Sequence, residues 1–251
     1  MKYAFVLFTS LLAGSCSPGY QHSMPLAPTA APAAIRIEAL SLFDTTRRRP
    51  VPVLLYGPVT GRRRLALLSH GYGGHNSDYS FLARQLGAHG YLVASIQHEL
   101  PTDEPIATAG NLRETRRPNW ARGVQNMLFV RQQLQQLYPR LDTGHLLLLG
   151  HSNGGDMAVL FAHEHPALVD KLISLDHRRM PLPRVRQPRI LTIRSSDQLA
   201  DPGVLPGPEE QKGLGISIVQ LPATLHNDMW DGATKAQQQE ITAAIAAFLR
   251  R

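Results

Sequence analysis

Leu146-Leu147-Leu148-Leu149-Gly150-His151-Ser152-Asn153-Gly154-Gly155 decides the fold. Four consecutive leucines read as a short strand buried on both faces. The next five residues fit G-x-S-x-G, with Ser152 at the centre. Residues 156–165 then carry Met157, Val159, Leu160 and Phe161 at helical spacing, and Pro166 closes the run. Strand, tight glycine turn and helix form one unit. The glycines let the two backbones approach closely. The turn is sharp enough to demand strained φ/ψ at Ser152. It lifts the Ser152 hydroxyl above the carboxyl edge of a sheet, beside helix N–H groups that favour an oxyanion.

The flanking sequence repeats this alternation. Residues 35–43 and 51–56 read as strands joined by a turn at 44–50, an antiparallel hairpin at a sheet edge. A short buried strand at 65–69 leads into His70-Gly71-Tyr72-Gly73-Gly74. A helix is expected over 77–88, capped by Asn76 or Ser77, and a strand over 91–96. Strand, loop, helix, strand implies parallel pairing. Residues 100–118 read as loop and 119–138 as a long helix. Beyond the central unit, strands are expected at 171–175, 189–193 and 216–221, and a last helix at 234–249. The sum is an α/β protein with a mostly parallel sheet of about eight strands, helices on both faces and no large lid domain.

The chain has 251 residues, enough for one substantial core. Its net charge of +7 would suit nucleic acid, but the arginines fall in short scattered sets without interleaved aromatics. Nucleic-acid binding is not expected. Metal binding is not expected either: His163 and His165 diverge on a helix, and no paired cysteines or H-E-x-x-H motif occur.

Residues 1–17 read as a targeting segment: Lys2, then an apolar run too short to span a bilayer, then Ala13-Gly14-Ser15-Cys16. This resembles a bacterial lipoprotein signal, in which the cysteine, here Cys16, is lipidated. Ala13 stands where such signals usually carry leucine. A secretory signal cleaved near Ala13–Ser15 is the alternative. Both place the protein outside the cytoplasm, membrane-anchored in the first case. Residues 18–34, rich in proline and alanine, read as a tether, and residues 35–251 as the folded domain.

From residue 35 onward the chain resembles the α/β-hydrolase superfamily. Residues 69–74 and His89-Gly90-Tyr91-Leu92-Val93-Ala94 are similar to its platelet-activating-factor acetylhydrolase, dienelactone hydrolase and polyester-hydrolase branches. The resemblance implies a triad in the chain order Ser, acid, His. Ser152 takes the nucleophile's place. His226, after the last strand, takes the base's. The acid should follow the strand at 189–193, where Asp197 is favoured, with Asp201 and then Asp176 as alternatives. The oxyanion donors would be the backbone N–H of Asn153 and that of Gly71 or Tyr72, Tyr72 being the better match. The implied activity is cofactor-free cleavage of a lipid or small-molecule carboxylic ester through an acyl-enzyme. An amidase or peptidase on the same fold is an alternative, and a non-catalytic surface binding protein is another.

Overall fold

The structure, a computed structural model, describes Met1, residues 35–57 and residues 61–250. The targeting segment, Cys16 and the tether lie outside the described residues. Residues 34–251 form one compact unit. Its strands are β1 (Ile37–Asp44), β2 (Arg49–Tyr56), β3 (Arg63–Ser69), β4 (Tyr91–Ile96), β5 (Leu141–His151), β6 (Val169–Leu175), β7 (Arg189–Arg194) and β8 (Ser217–Gln220). Its α-helices are α1 (Ser80–Ala88), α2 (Leu112–Thr115), α3 (Arg117–Leu137), α4 (Ser152–Glu164), α5 (Pro208–Leu214) and α6 (Lys235–Arg250).

All eight strands form one sheet in the order β1-β2-β4-β3-β5-β6-β7-β8. β1 pairs with β2, and β2 with β4, antiparallel; every other pair is parallel. The leucine run at the centre of β5 shows why. Leu146 and Leu148 pack towards α3 and α4, against Trp120, Met127 and Phe161. Leu147 and Leu149 point the other way, towards Leu82 and Leu86 of α1 and Ile241 and Ile245 of α6. Alternation along a strand thus feeds two separate cores, one on each face. Each fully buried leucine contributes roughly 2 kcal/mol, which makes a polar residue in this run untenable.

Three elements depart from expectation. The first turn of α1 starts at Ser80, and neither Asn76 nor Ser77 caps it. Residues 75–78 form a turn instead, closed by His75 N–H donating to Asp78 Oδ2 at 2.7 Å. The cap comes from the far end of the chain: Asp231 accepts from Ser80 N at 2.9 Å and Phe81 N at 3.1 Å. The segment expected as loop at 100–118 contains α2. The third is α5, with Pro208 in its first turn and Gly215 ending it at φ 71°, the arrangement proline and glycine favour at helix starts and ends.

Candidate active site

Ser152 stands where β5 becomes α4, with φ at +51°, a region costly for a residue bearing Cβ. Two glycines permit the turn. A Cβ on Gly150 would overlap the Gly154 carbonyl, and one on Gly154 would overlap the His70 carbonyl. Both positions therefore require glycine for close approach.

His226 lies in a short 3-10 turn after β8, and its Nε2 is 3.0 Å from Ser152 Oγ. The residue on its other ring nitrogen is not the favoured one. Nδ1 lies 2.6 Å from Asp176 Oδ2, at the end of β6. Asp197 is exposed and accepts instead from the His226 backbone N–H at 2.7 Å. Asp201 pairs with Arg178 at 2.9 Å. The reason is sheet order. β6 is the direct neighbour of β5, so its carboxyl end opens beside Ser152, one strand nearer than the end of β7. Asp176 uses the same backbone device as Ser152, with φ at +51°.

The residues after β7, where the acid was expected, serve Asp176 instead. Ser195 donates its N–H to Asp176 Oδ1 at 3.1 Å and its hydroxyl to Oδ2 at 2.7 Å. Gln198 Nε2 donates to Oδ2 at 3.1 Å. Arg194 Nη2 sits 2.9 Å from Oδ1. Asp176 is fully buried, which pushes its pKa up. The His226 hydrogen bond, the Arg194 charge and Ser195 together outweigh burial and hold it at about 2. It is therefore a carboxylate at any ordinary pH.

A second chain of contacts holds His226 from behind. Gly71 N–H donates to Tyr79 Oη at 3.1 Å, and Tyr79 Oη lies 2.7 Å from His151 Nδ1. His151 Nε2 in turn lies 3.1 Å from the His226 carbonyl. The two imidazole rings lie tilted to one another with centroids 4.8 Å apart. Burial and the neighbouring His226 hold the His151 pKa down at about 3, so it is neutral, donating from Nε2 and accepting from Tyr79 at Nδ1. One Tyr-His relay thus joins the 70–74 loop, the Ser152 turn and His226. It also separates the two candidate oxyanion donors. The Gly71 amide is occupied by Tyr79, whereas the Tyr72 amide has no partner among the described contacts. The Asn153 amide is in the first turn of α4, where helix geometry supplies no acceptor.

A cleft of about 400 Å³ opens over Ser152 and His226, walled by Tyr72, Asp78, Tyr79 and Trp230, with no lysine or arginine among its described lining residues. Tyr72 and Trp230 are 50% and 42% exposed, so apolar surface faces an incoming ligand. Among the described residues no group of three His, Cys, Asp or Glu side chains is placed to hold a metal. Sequence reasoning passed over His151, Tyr79, Glu99 and Asp156. Asp156 Oδ1 accepts the Arg179 and Met180 amides at 2.9 and 2.8 Å, tying the loop after Asp176 to α4.

This arrangement can be set beside known proteins. Residues 61–175 match the family model described as serine aminopeptidase, S33. Solved structures overlay on nearly the whole described fold. The chain has the α/β-hydrolase fold. Among the structures that share it, a ferulic acid esterase from Streptomyces cinnamoneus is 18% identical at a TM-score of 0.61, covering 88% of this chain and 91% of its own. A dienelactone hydrolase from Anabaena variabilis is 17% identical at a TM-score of 0.56, covering 85% and 98%. Rhizomucor miehei esterase reaches a TM-score of 0.64 at 12% identity, covering 88% and 84%. The platelet-activating factor acetylhydrolase of Cavia porcellus is 28% identical over 41% of this chain, and the match spans only 35% of that relative's length.

Proposed function

We propose that this α/β hydrolase is a serine esterase, working through an acyl-enzyme. The observation that carries the reading is the line Ser152 Oγ, His226, Asp176, with successive separations of 3.0 and 2.6 Å. Ser152 Oγ attacks the ester carbonyl while His226 Nε2 takes its proton. The carbonyl oxygen, now an oxyanion, is received by the Tyr72 and Asn153 amides. Such donors typically contribute about 3 kcal/mol each. Asp176 keeps the Nδ1 proton in place and stabilises the imidazolium. His226 then passes its proton to the departing alcohol, and water repeats the sequence to free the acid.

The esterase and acetylhydrolase relatives support the ester bond as the target. The cleft supports neutral esters with an apolar or aromatic portion, since Tyr72 and Trp230 offer ring surface and the lining has no cation to hold a carboxylate. A peptidase reading is favoured by the description of the matched family, and Asp78 in the lining would suit a substrate amino group. The sequence of residues 1–17 supports an extracytoplasmic enzyme, either lipidated at Cys16 or released by cleavage before it.

The test is fluorophosphonate labelling of the purified protein beside Ser152→Ala, with p-nitrophenyl acetate, longer p-nitrophenyl esters and aminoacyl p-nitroanilides offered in parallel. Labelling lost in the variant, with ester turnover exceeding anilide turnover, is expected. Anilide turnover alone would move the assignment to a peptidase. A folded wild-type protein that does not label would end the hydrolase reading and favour a binding protein.

A further inference from the structure

The residues following β4, Gln97-His98-Glu99, lie against the loop that carries the Tyr72 amide, and each takes hold of a different part of it. Gln97 Oε1 accepts from Asn76 N at 2.9 Å, and its Nε2 donates to the Gly74 carbonyl at 3.3 Å. The His98 amide donates to His70 Nε2 at 3.0 Å, and its ring meets Ser69 Oγ at 2.9 Å. Glu99 Oε2 accepts from the Gly73 amide at 2.9 Å. Glu99 does one thing more: its Oε1 accepts from Asn153 Nδ2 at 3.3 Å.

That carboxylate therefore spans the two backbone segments that supply the proposed oxyanion donors. Gly73 is the residue after Tyr72, and Asn153 carries the other donor on its own backbone. The direction of the Asn153 amide is fixed independently. Its Oδ1 accepts from the buried Trp120 indole at 2.7 Å, and an indole N–H can only donate. Its Nδ2 must then face Asn119 Oδ1, at 2.9 Å, and Glu99. Both partners of Glu99 are donors, so the bridge needs a group with two acceptor oxygens. A carboxylate has them; a carboxamide has one, and turns an N–H against the other donor. Burial raises the Glu99 pKa, while the Gly73 amide, Arg122 and Asn153 pull it back.

The geometry points to Glu99 as a positioning residue for the oxyanion hole, setting the separation of the Tyr72 and Asn153 amides without touching substrate. This rests on the esterase reading and adds a residue to it. An oxyanion hole acts only when its donors are already aimed at the position the oxygen will occupy. A bridge between the two donor segments acts on the transition state and leaves the binding of neutral ester nearly untouched.

The test is Glu99→Gln in the full-length protein, assayed with p-nitrophenyl acetate, by fluorophosphonate labelling rate, and by affinity for an alkyl boronic acid, which adds Ser152 Oγ as a tetrahedral anion. Loss of a whole donor costs about 10² to 10³ in kcat, so loss of alignment is expected to cost tenfold to a hundredfold. KM should stay within about twofold, and boronate affinity should fall in step with kcat. Asn153→Ser, which keeps the backbone donor and deletes the bridge's other end, should lower kcat similarly. The double variant should lose little more than either single one. Additive losses, or a fall in KM-determined binding with boronate affinity intact, would show that Glu99 only supports the fold. If Glu99→Gln proves unstable, Asn153→Ser carries the same kcat and boronate comparison. Wild-type labelling with an unaffected Glu99→Gln overturns this inference and leaves the esterase reading standing. Absence of labelling in the wild type overturns both.

Discussion

Replacing Asp176 by asparagine is the most demanding test of the site. The carboxylate is fully buried; His226 Nδ1 at 2.6 Å, the Ser195 amide and hydroxyl and Gln198 Nε2 all donate to it, and Arg194 pairs with it in charge. Asparagine has one acceptor oxygen. If its NH2 replaces Oδ2, it faces His226 Nδ1, which must then give up its proton and carry it on Nε2. Nε2–H points at Ser152 Oγ, and the base is lost. If the NH2 replaces Oδ1, it meets Arg194 and the Ser195 amide, and the imidazolium still lacks a counter-charge. Tautomer loss of this kind costs about 10⁴ in kcat, or about 5.5 kcal/mol of transition-state stabilisation. Arg194 also loses its buried partner, which costs about 3 to 5 kcal/mol of stability, so urea unfolding must accompany kinetics. Asp197→Asn removes only an exposed acceptor for the His226 amide, worth about 1 kcal/mol, and should lower kcat less than tenfold. Asp201→Asn should be neutral within about twofold. An Asp197→Asn variant as impaired as Asp176→Asn, or a folded Asp176→Asn retaining a tenth of wild-type kcat, would refute the assignment.

Acid should destabilise the fold. Burial, with the charges of His226 and Arg194 respectively, holds the pKa values of His151 and His177 at about 3. In the unfolded chain each takes a proton near 6.5, so their contribution is complete above that pH and is lost as pH falls towards 3, about 1.4 kcal/mol per unit per histidine. Asp156, raised to about 6 by burial, opposes this between about 6 and 3.8. These three groups together predict a loss of about 1.4 kcal/mol per unit from pH 6 to 4, read from urea midpoints, and the burial-lowered His70 and His98 add to it; a flat midpoint contradicts it. Asp231→Ala removes both acceptors at the start of α1 and should cost about 1 to 2 kcal/mol in the same assay, with an unchanged midpoint showing the cap to be idle. Gly150→Ala should abolish soluble folded protein, because the new methyl has only the Gly154 carbonyl to displace; a folded, labelling variant would mean the turn relaxes.

What was legible in the sequence follows how local each signal is. The leucine run, its glycines and the following helix are set by neighbours in the chain, and the structure has them where the pattern puts them. Strand alternation and βαβ order were enough for an eight-stranded, mostly parallel sheet. The acid was misplaced because counting strands does not say which strand end lies beside Ser152. That depends on β6 being the neighbour of β5, a property of the assembled sheet. A local hint existed: Asp176 follows a buried strand at once, as Ser152 does. The Tyr79-His151 relay, the Glu99 bridge and the Asp231 cap were illegible for a related reason. Each joins polar residues tens of residues apart or more, and neither periodicity nor propensity records such partners.

The cap on α1 has a consequence for biosynthesis. A chain emerging from the ribosome up to residue 225 already holds Ser152, Asp176 and the Tyr72 and Asn153 amides, yet it has neither the imidazole proposed to activate the serine nor the carboxylate that closes α1. His226 and Asp231 lie five positions apart, so the same short stretch proposed to arm the nucleophile also locks the helix behind the 70–74 loop. On the proposed esterase reading, the site is therefore incomplete until residues 226–231 have been made, and a nascent chain interrupted before that point lacks its base.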